Sequence, residues 1–349
     1  MSRFGKFIKE RVPVDIDSLK EFGSEPVPNH LKLWWFCLGG TPAYLFIIQI
    51  ITGILLTFYY IPNPEMAYES VQFITEQVPL GWFFRSLHKW SANLMIVAVI
   101  LHVMRVFFTG AYRKPRELNW MIGSVILFVV LFFGFTGYSL VYEQLSYWGA
   151  TVAGNLTSSV PLIGPYLAEF LQGGPTISDN TLTRYFIFHI GVLPTALIFL
   201  LVLHIVMIRL HGVSEFTMKN TGHDQSKTFP FFPHHFLTEI LIGVVLMIVL
   251  TSLACIFPAE LADKANPLIT PDHIKPEWYF YFTFRWLKIT GLTVAVLSLG
   301  FGFFMFMMWP FIDGVIRKKW PSGRFSTVIG ALVVILILVL TIWEAVATH

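Results

Sequence analysis

Four histidines have the type and spacing to hold metal. His88 and His102 stand 14 residues apart in one long apolar run, and His189 and His204 stand 15 apart in another. On a helix with a rise of 1.5 Å per residue, each interval spans roughly 21–23 Å. At about 100° per residue, the members of a pair fall within about 40–60° of each other, so each pair lies on one helix face. Two such helices packed side by side hold two imidazole–imidazole gaps at two depths of a bilayer. A lone histidine in a membrane helix is an ordinary packing or proton-relay residue. Four at matched depths, with His88 opposite His189 and His102 opposite His204, point instead to iron ligation. Closing both axial positions with neutral imidazole suits electron transfer. The spacing therefore predicts two b-type hemes with these four histidines as metal ligands.

Glycines repeat the interval. Gly39 and Gly53 are 14 apart in one apolar run, and Gly123 and Gly137 are 14 apart in another. Glycine inside a helix costs about 1 kcal/mol against alanine, and close approach of a flat macrocycle is a reason to carry that cost. Small-residue packing between helices is the competing explanation. Heme propionates attract cations. Arg85 lies beside His88, Arg105 follows His102 with Arg116 beyond it, Arg184 precedes His189, and Arg209 follows His204. Each of these arginines is equally an interfacial anchor.

The elements that position these residues follow from composition. Of 349 residues, 55% are hydrophobic and 13% are charged, against about 25% charged in soluble domains. The apolar residues come in long blocks, which predicts an all-α, polytopic membrane protein. Seven spans are expected, at roughly 34–60, 80–107, 119–141, 183–209, 235–257, 290–313 and 326–346. Residues 1–30 read as a cytoplasmic amphipathic segment. Residues 31–212 read as a four-helix heme-binding bundle, and 213–349 as a three-helix C-terminal part. No signal peptide is expected. The two cysteines, Cys37 and Cys255, lie in different runs and suggest no disulfide framework.

Residues 142–182 form a long loop without Lys or Arg, and its apolar stretch 160–172 is too short to span. Residues 258–278 form a second loop on the same side. Most basic residues fall in the N-terminal tail and in the loops after spans two, four and six, which seven spans place on one side. The N-terminus is then cytoplasmic, in a bacterial inner membrane. His88 and His189 lie toward the outer face, and His102 and His204 toward the cytoplasm. The net charge of +3 decides little by itself, and no nucleic-acid partner is expected.

Residues 81–120, residues 181–189, the four histidines and Pro276-Glu277-Trp278-Tyr279 together carry a resemblance to a known family. Over nearly its whole length the chain resembles the cytochrome b subunit of the cytochrome bc complexes, the quinol:cytochrome c or plastocyanin oxidoreductases. The 15-residue step from His189 to His204 is similar to the chloroplast and cyanobacterial branch. Cys37 sits where that branch attaches a covalent c-type heme. Unlike that branch, both parts are fused in one chain. Unlike the mitochondrial branch, there is no eighth span, although the loop around Glu143–Ala150 looks mitochondrial.

The resemblance implies that Glu277 accepts a proton from quinol. Tyr279 and Tyr147 would line the pocket, between the 142–172 loop and the 258–280 segment. One electron would leave to a Rieske-type iron–sulfur subunit, because this chain has no Cys/His cluster for such a centre. The other would cross through the two hemes to a quinone near Cys37 and Arg209, with proton translocation as the outcome. A c-type cytochrome subunit and a homodimer are further implied partners. Two competing classes remain. A di-heme membrane anchor of a dehydrogenase or hydrogenase usually has four or five spans and needs no Glu277 signature. A transporter or channel without a redox cofactor predicts charges along an intramembrane pathway.

Overall fold

A chain in hydrocarbon must satisfy its own N–H and C=O groups, so apolar runs of this length become helices. In the computed structural model, residues 26–28, 38–212, 214, 228–321 and 324–347 are described. The first part contains α1 (Gly40–Thr57), α2 (Ala67–Glu76), α3 (Gly81–Thr109) and α4 (Glu117–Ser139). It continues with α5 (Gln144–Ser158), α6 (Gly164–Gln172) and α7 (Asp179–His211), the last carrying a π turn at Phe188–Val192. The second part contains α8 (Phe236–Ile256), α9 (Tyr281–Thr290), α10 (Leu292–Met307), α11 (Trp309–Lys319) and α12 (Arg324–Val346). Strands β1 (Pro26–Pro28) and β2 (Thr228–Pro230) pair antiparallel. The rest of the expected 1–30 amphipathic segment lies outside the described residues.

Six helices, α1, α3, α4, α7, α8 and α12, are long and apolar enough to cross a membrane. The seventh expected span, 290–313, is not straight: α10 and α11 meet at a bend of 65°. Pro310 stands at the start of α11. A proline has no N–H to give and its ring crowds the carbonyl four residues back. That carbonyl, on Phe306, accepts the Trp120 indole N–H instead, at 2.9 Å.

The loop 142–182 also departs from its sequence reading. Much of it is helical, with α5 and α6 folded over the membrane end of the bundle. Leu162 between them is almost fully exposed, and Tyr166 and Phe170 on α6 are exposed as well. These apolar side chains fit a segment lying at the interface.

Helices α1 and α3 pack together, as do α4 and α7, while α8 leans on α3. The core they share joins Leu45 and Ile48 of α1, Met95, Ile96 and Val99 of α3, Val130 of α4 and Leu197 of α7. Leu250 of α8 and Tyr279 belong to the same core, which therefore runs across the expected division at residue 212. The outward faces carry exposed Ile47, Ile51 and Ile54 on α1 and Ile240, Leu241 and Val244 on α8. In a bilayer, that is surface for lipid.

Candidate functional site

The four histidines meet in two pairs. His88 of α3 faces His189 of α7 with ring centres 6.3 Å apart and planes at 69°. His102 faces His204 at 6.4 Å and 75°. Two metal–imidazole bonds of about 2 Å, plus about 1.2 Å from each nitrogen to its ring centre, require about 6.4 Å. Both gaps therefore accept one metal ion with two axial imidazoles. The one-residue difference between the intervals is absorbed on α7, where the π turn Phe188–Val192 adds a residue to one turn just after His189.

At the first pair, hydrogen bonds fix which nitrogen faces the gap. Thr52 Oγ1 lies 2.8 Å from His88 Nδ1, and Thr136 Oγ1 lies 3.0 Å from His189 Nδ1. The Thr52 hydroxyl donates to the Ile48 carbonyl at 2.7 Å, and that of Thr136 to the Phe132 carbonyl at 3.0 Å. Each hydroxyl proton being committed, each imidazole Nδ1–H donates and the Nε2 lone pair is left for a metal. Gln49 braces the same turn, its amide donating to the His88 carbonyl at 2.7 Å and to Ser91 Oγ at 2.6 Å. At the second pair, His102 Nδ1 is buried with no hydrogen-bond partner, and the backbone of Asn119 stands beside the His204 ring.

The glycines map one to one onto the histidines. A Cβ added at Gly39 would lie 3.6 Å from His102 Cε1, and one at Gly123 would lie 3.5 Å from His204 Cε1. At Gly53 the distance to His88 Cε1 is 3.3 Å, and at Gly137 the distance to His189 Cε1 is 2.7 Å. The 14-residue glycine interval thus gives clearance to the imidazoles of the four histidines.

The arginines are mostly engaged with backbone. Arg85 donates to the carbonyls of Ala259 at 2.7 Å and Glu260 at 2.9 Å, and sits 3.9 Å from the Glu143 carboxylate. Arg184 donates to the Phe170 carbonyl and to that of Glu169 at 3.2 Å. Arg116 closes the end of α7 through the Gly212 carbonyl at 3.1 Å. For these three the anchoring role is the one the geometry displays. Arg105 is half-buried one turn beyond His102, and Arg209 is exposed in the last turn of α7. Cys37 lies outside the described residues. The free cysteine among the described residues is Cys255, which is exposed on α8.

At the other end of the first pair, the two loops are stitched together. Gln144 N–H donates to the Asp263 carbonyl at 2.9 Å, and Ala265 N–H to the Tyr142 carbonyl at 3.1 Å. The Gln144 side chain accepts from Asn266 N–H and donates to the Ile269 carbonyl, both at 2.5 Å. Trp148 Nε1 donates to the same Ile269 carbonyl at 3.1 Å. Behind this seam, Trp278 Nε1 donates to Asn93 Oδ1 at 2.6 Å and fastens the 276–279 turn to α3.

Glu277 is half-buried in that turn. Burial pushes its carboxyl above the usual range; Lys89 opposes the shift and Glu143 adds to it. The buried Tyr279 phenol is raised by burial and then by the charge of Glu277, and its hydroxyl packs on Gly134 of α4. Tyr281 is raised by burial and by Glu277 and Glu344. The turn therefore gathers Glu277, Tyr279, Tyr281 and Lys89 at one membrane edge. Tyr147 packs instead on Tyr142 and Trp148.

Two features escaped the sequence reading. Thr52 and Thr136 each directly precede a clearance glycine, so a Thr-Gly pair in mid-span was the available signal. The second feature is an ionic cluster: the fully buried Glu344 carboxylate of α12 holds Arg285 Nε and Lys288 Nζ, each at 2.9 Å. Residues 56 positions apart leave no local pattern.

The comparisons with known proteins agree in direction. The family model described as cytochrome b/b6/petB matches residues 22–212, and that described as cytochrome b(C-terminal)/b6/petD matches 264–349. The chain is 39% identical over 334 residues to the cytochrome bc complex cytochrome b subunit of Chlorobaculum thiosulfatiphilum, covering 93% of this chain and 76% of that protein. It is 44% identical over 210 residues to cytochrome b6 of Heliomicrobium gestii, covering 60% of this chain and 99% of that protein. Among solved structures, a chain of a hyperthermophilic respiratory complex III superposes with a TM-score of 0.85 at 27% identity, covering 99% of this chain and 92% of that one.

Proposed function

The chain belongs to the cytochrome b/b6 family as a fused, heme-bearing electron-transfer subunit of a bc-type complex, and from that premise we propose that it oxidises quinol at one membrane face and reduces quinone at the other. The observation that carries the reading is the pair of imidazole gaps, 6.3 and 6.4 Å wide, at two depths of the same two helices. Hemes held there would supply one-electron carriers for one of the two electrons a quinol gives up, the other leaving to a separate acceptor.

This chain's own residues do the rest. The four histidines would hold the hemes, two to each, with the first pair oriented by Thr52 and Thr136. Arg105 and Arg209 are the cations placed to meet propionates. The turn at 276–279 holds Glu277 against the seam between the 142–148 and 262–269 segments, within a low-dielectric wall built by Tyr279 and Trp278. A carboxyl raised by burial is a fit proton acceptor for a quinol hydroxyl, and Lys89 keeps it ionisable.

The remaining parts of the proposal rest on the resemblance and the charge pattern. The first histidine pair and Glu277 face outward across a bacterial inner membrane, with the N-terminus cytoplasmic. A Rieske-type iron–sulfur subunit takes the other electron, a c-type cytochrome subunit follows it, and the complex is a homodimer that translocates protons. A covalent c-type heme at Cys37 rests on the resemblance of Trp34-Trp35-Phe36-Cys37 alone; a heme-stained denaturing gel band lost in Cys37→Ser is its test.

The main test is spectroscopic. A pyridine hemochrome of the purified complex should give two b hemes per chain, and His204→Leu should leave one. Two hemes surviving in that variant would overturn the ligand assignment.

A further inference from the structure

The 65° bend after α10 turns α11 out of line with the span that leads into it. At 1.5 Å per residue, its 11 residues run about 16 Å. With α10 along the membrane normal, α11 moves only about 7 Å in depth and travels mostly along the surface. That is the depth range of an interfacial helix. Its two faces differ. Pro310 and Asp313 are buried, and Asp313 is held by Arg113 Nε at 2.8 Å and by the Ser326 hydroxyl. This face fastens α11 to the turn after α3 and to the start of α12. The opposite face exposes Phe311 and Val315, one turn apart, at 48% and 62%, and then Lys318 and Lys319. It is apolar where it leaves the bilayer and cationic where it ends.

Cations in the last turn of a helix answer its dipole. Arg324 does not fit that account. It opens α12, where the dipole favours an anion, and no acidic residue stands in that first turn. Lys318, Lys319 and Arg324 are exposed and make no ion pair among the described residues. Between residues 308 and 327 the only acid is Asp313, which Arg113 already engages. Trp320, exposed between the lysines and Arg324, is a side chain suited to headgroup level. Apolar side chains at one depth and unanswered cations at the next match a molecule built of the same two parts. We propose that α11 and the start of α12 bind an anionic phospholipid, its headgroup met by Lys318, Lys319 and Arg324 and its acyl chains by Phe311 and Val315. The inference rests on the chain spanning a bilayer and is independent of the heme and quinol assignments. Through Asp313 and Arg113, the lipid would brace the end of α3 from outside the bundle.

The test counts and titrates lipids on the purified, delipidated complex by native mass spectrometry. Phosphatidylglycerol is compared with phosphatidylcholine of the same acyl chains. The variant Lys318→Gln/Lys319→Gln/Arg324→Gln should weaken phosphatidylglycerol at one site per chain by about 10²-fold, about fivefold for each cation removed. Phosphatidylcholine binding should not change. Phe311→Ser/Val315→Ser should weaken both lipids. Arg324→Gln alone removes a side chain with no hydrogen bond or ion pair among the described residues. It should cost about fivefold, and it decides the matter if the triple variant fails to assemble. Unchanged phosphatidylglycerol affinity in the cation variants overturns the proposal. So does an equal loss for phosphatidylcholine, or unchanged affinity for both lipids in the Phe311/Val315 variant. Inorganic phosphate at the same concentration should leave phosphatidylglycerol in place; displacement by it would mark a simple anion site and overturn the lipid assignment.

Discussion

Glu277 has two unlike neighbours, Lys89 and Glu143, and its proton affinity is set by which of them it feels more. Burial raises its pKa, Lys89 pulls it down and Glu143 pushes it up. The raised carboxyl is ionised only at higher pH than an ordinary one, and a proton acceptor works only when ionised. Quinol oxidation should therefore rise with pH through a value above the usual carboxylate range. In Lys89→Gln the rise should move to still higher pH, whereas an unmoved profile would separate Lys89 from Glu277. Glu277→Gln should keep both b hemes in the reduced-minus-oxidised spectrum while quinol oxidation falls by about 10²-fold or more, the usual scale for a positioned proton acceptor. Full turnover in that variant would remove Glu277 from the chemistry.

Helices α3 and α7 carry the four histidines, and α1 and α4 make room for their imidazoles through glycine. The clearance is graded: 2.7 Å at Gly137, 3.3 Å at Gly53, 3.5 Å at Gly123 and 3.6 Å at Gly39. An alanine methyl at 3.6 Å is in ordinary contact, whereas at 2.7 Å the imidazole must move. Heme content measured by hemochrome should follow that order. Gly137→Ala should lose the His88/His189 heme, and Gly39→Ala should retain both. Equal loss in all four variants would mean the glycines serve helix packing alone. The helices and the register of the four histidines were legible in sequence because both follow from a period of 3.6 residues and a run of apolar side chains. The bend at Pro310 was legible only in part: Pro310 announces a break, but the Trp120 indole that takes the freed carbonyl comes from another helix. Helix α5 was hidden by its mixed composition. The threonines behind the imidazoles were visible as residues and silent as partners, because their oxygens meet Nδ1 only after α1 packs on α3 and α4 on α7.

Across the whole molecule, polar ties bridge the two parts that sequence alone divides at residue 212. Arg85 reaches Ala259 and Glu260, Trp278 reaches Asn93, and Arg113 Nε reaches Asp313 at 2.8 Å. Asp313 also accepts the Ser326 hydroxyl. Within the second part, Glu344 holds α12 to α9 through Arg285 and Lys288. Removing one partner of a buried ion group costs about 3–5 kcal/mol. Glu344→Ala should therefore lower the thermal midpoint of the complex, and an unchanged midpoint would show that the cluster contributes nothing net. The seam from Tyr142 to Ile269 extends these ties at the Glu277 end. Every one of them is made by side chains or backbone groups that would find each other without a shared peptide bond. A gene cut between the codons for residues 212 and 228, with both pieces expressed together, should still yield a di-heme complex. On this view, fusion adds no geometry to the protein. It fixes a one-to-one dosage of the two pieces at the ribosome, which separate genes would have to achieve by matched expression.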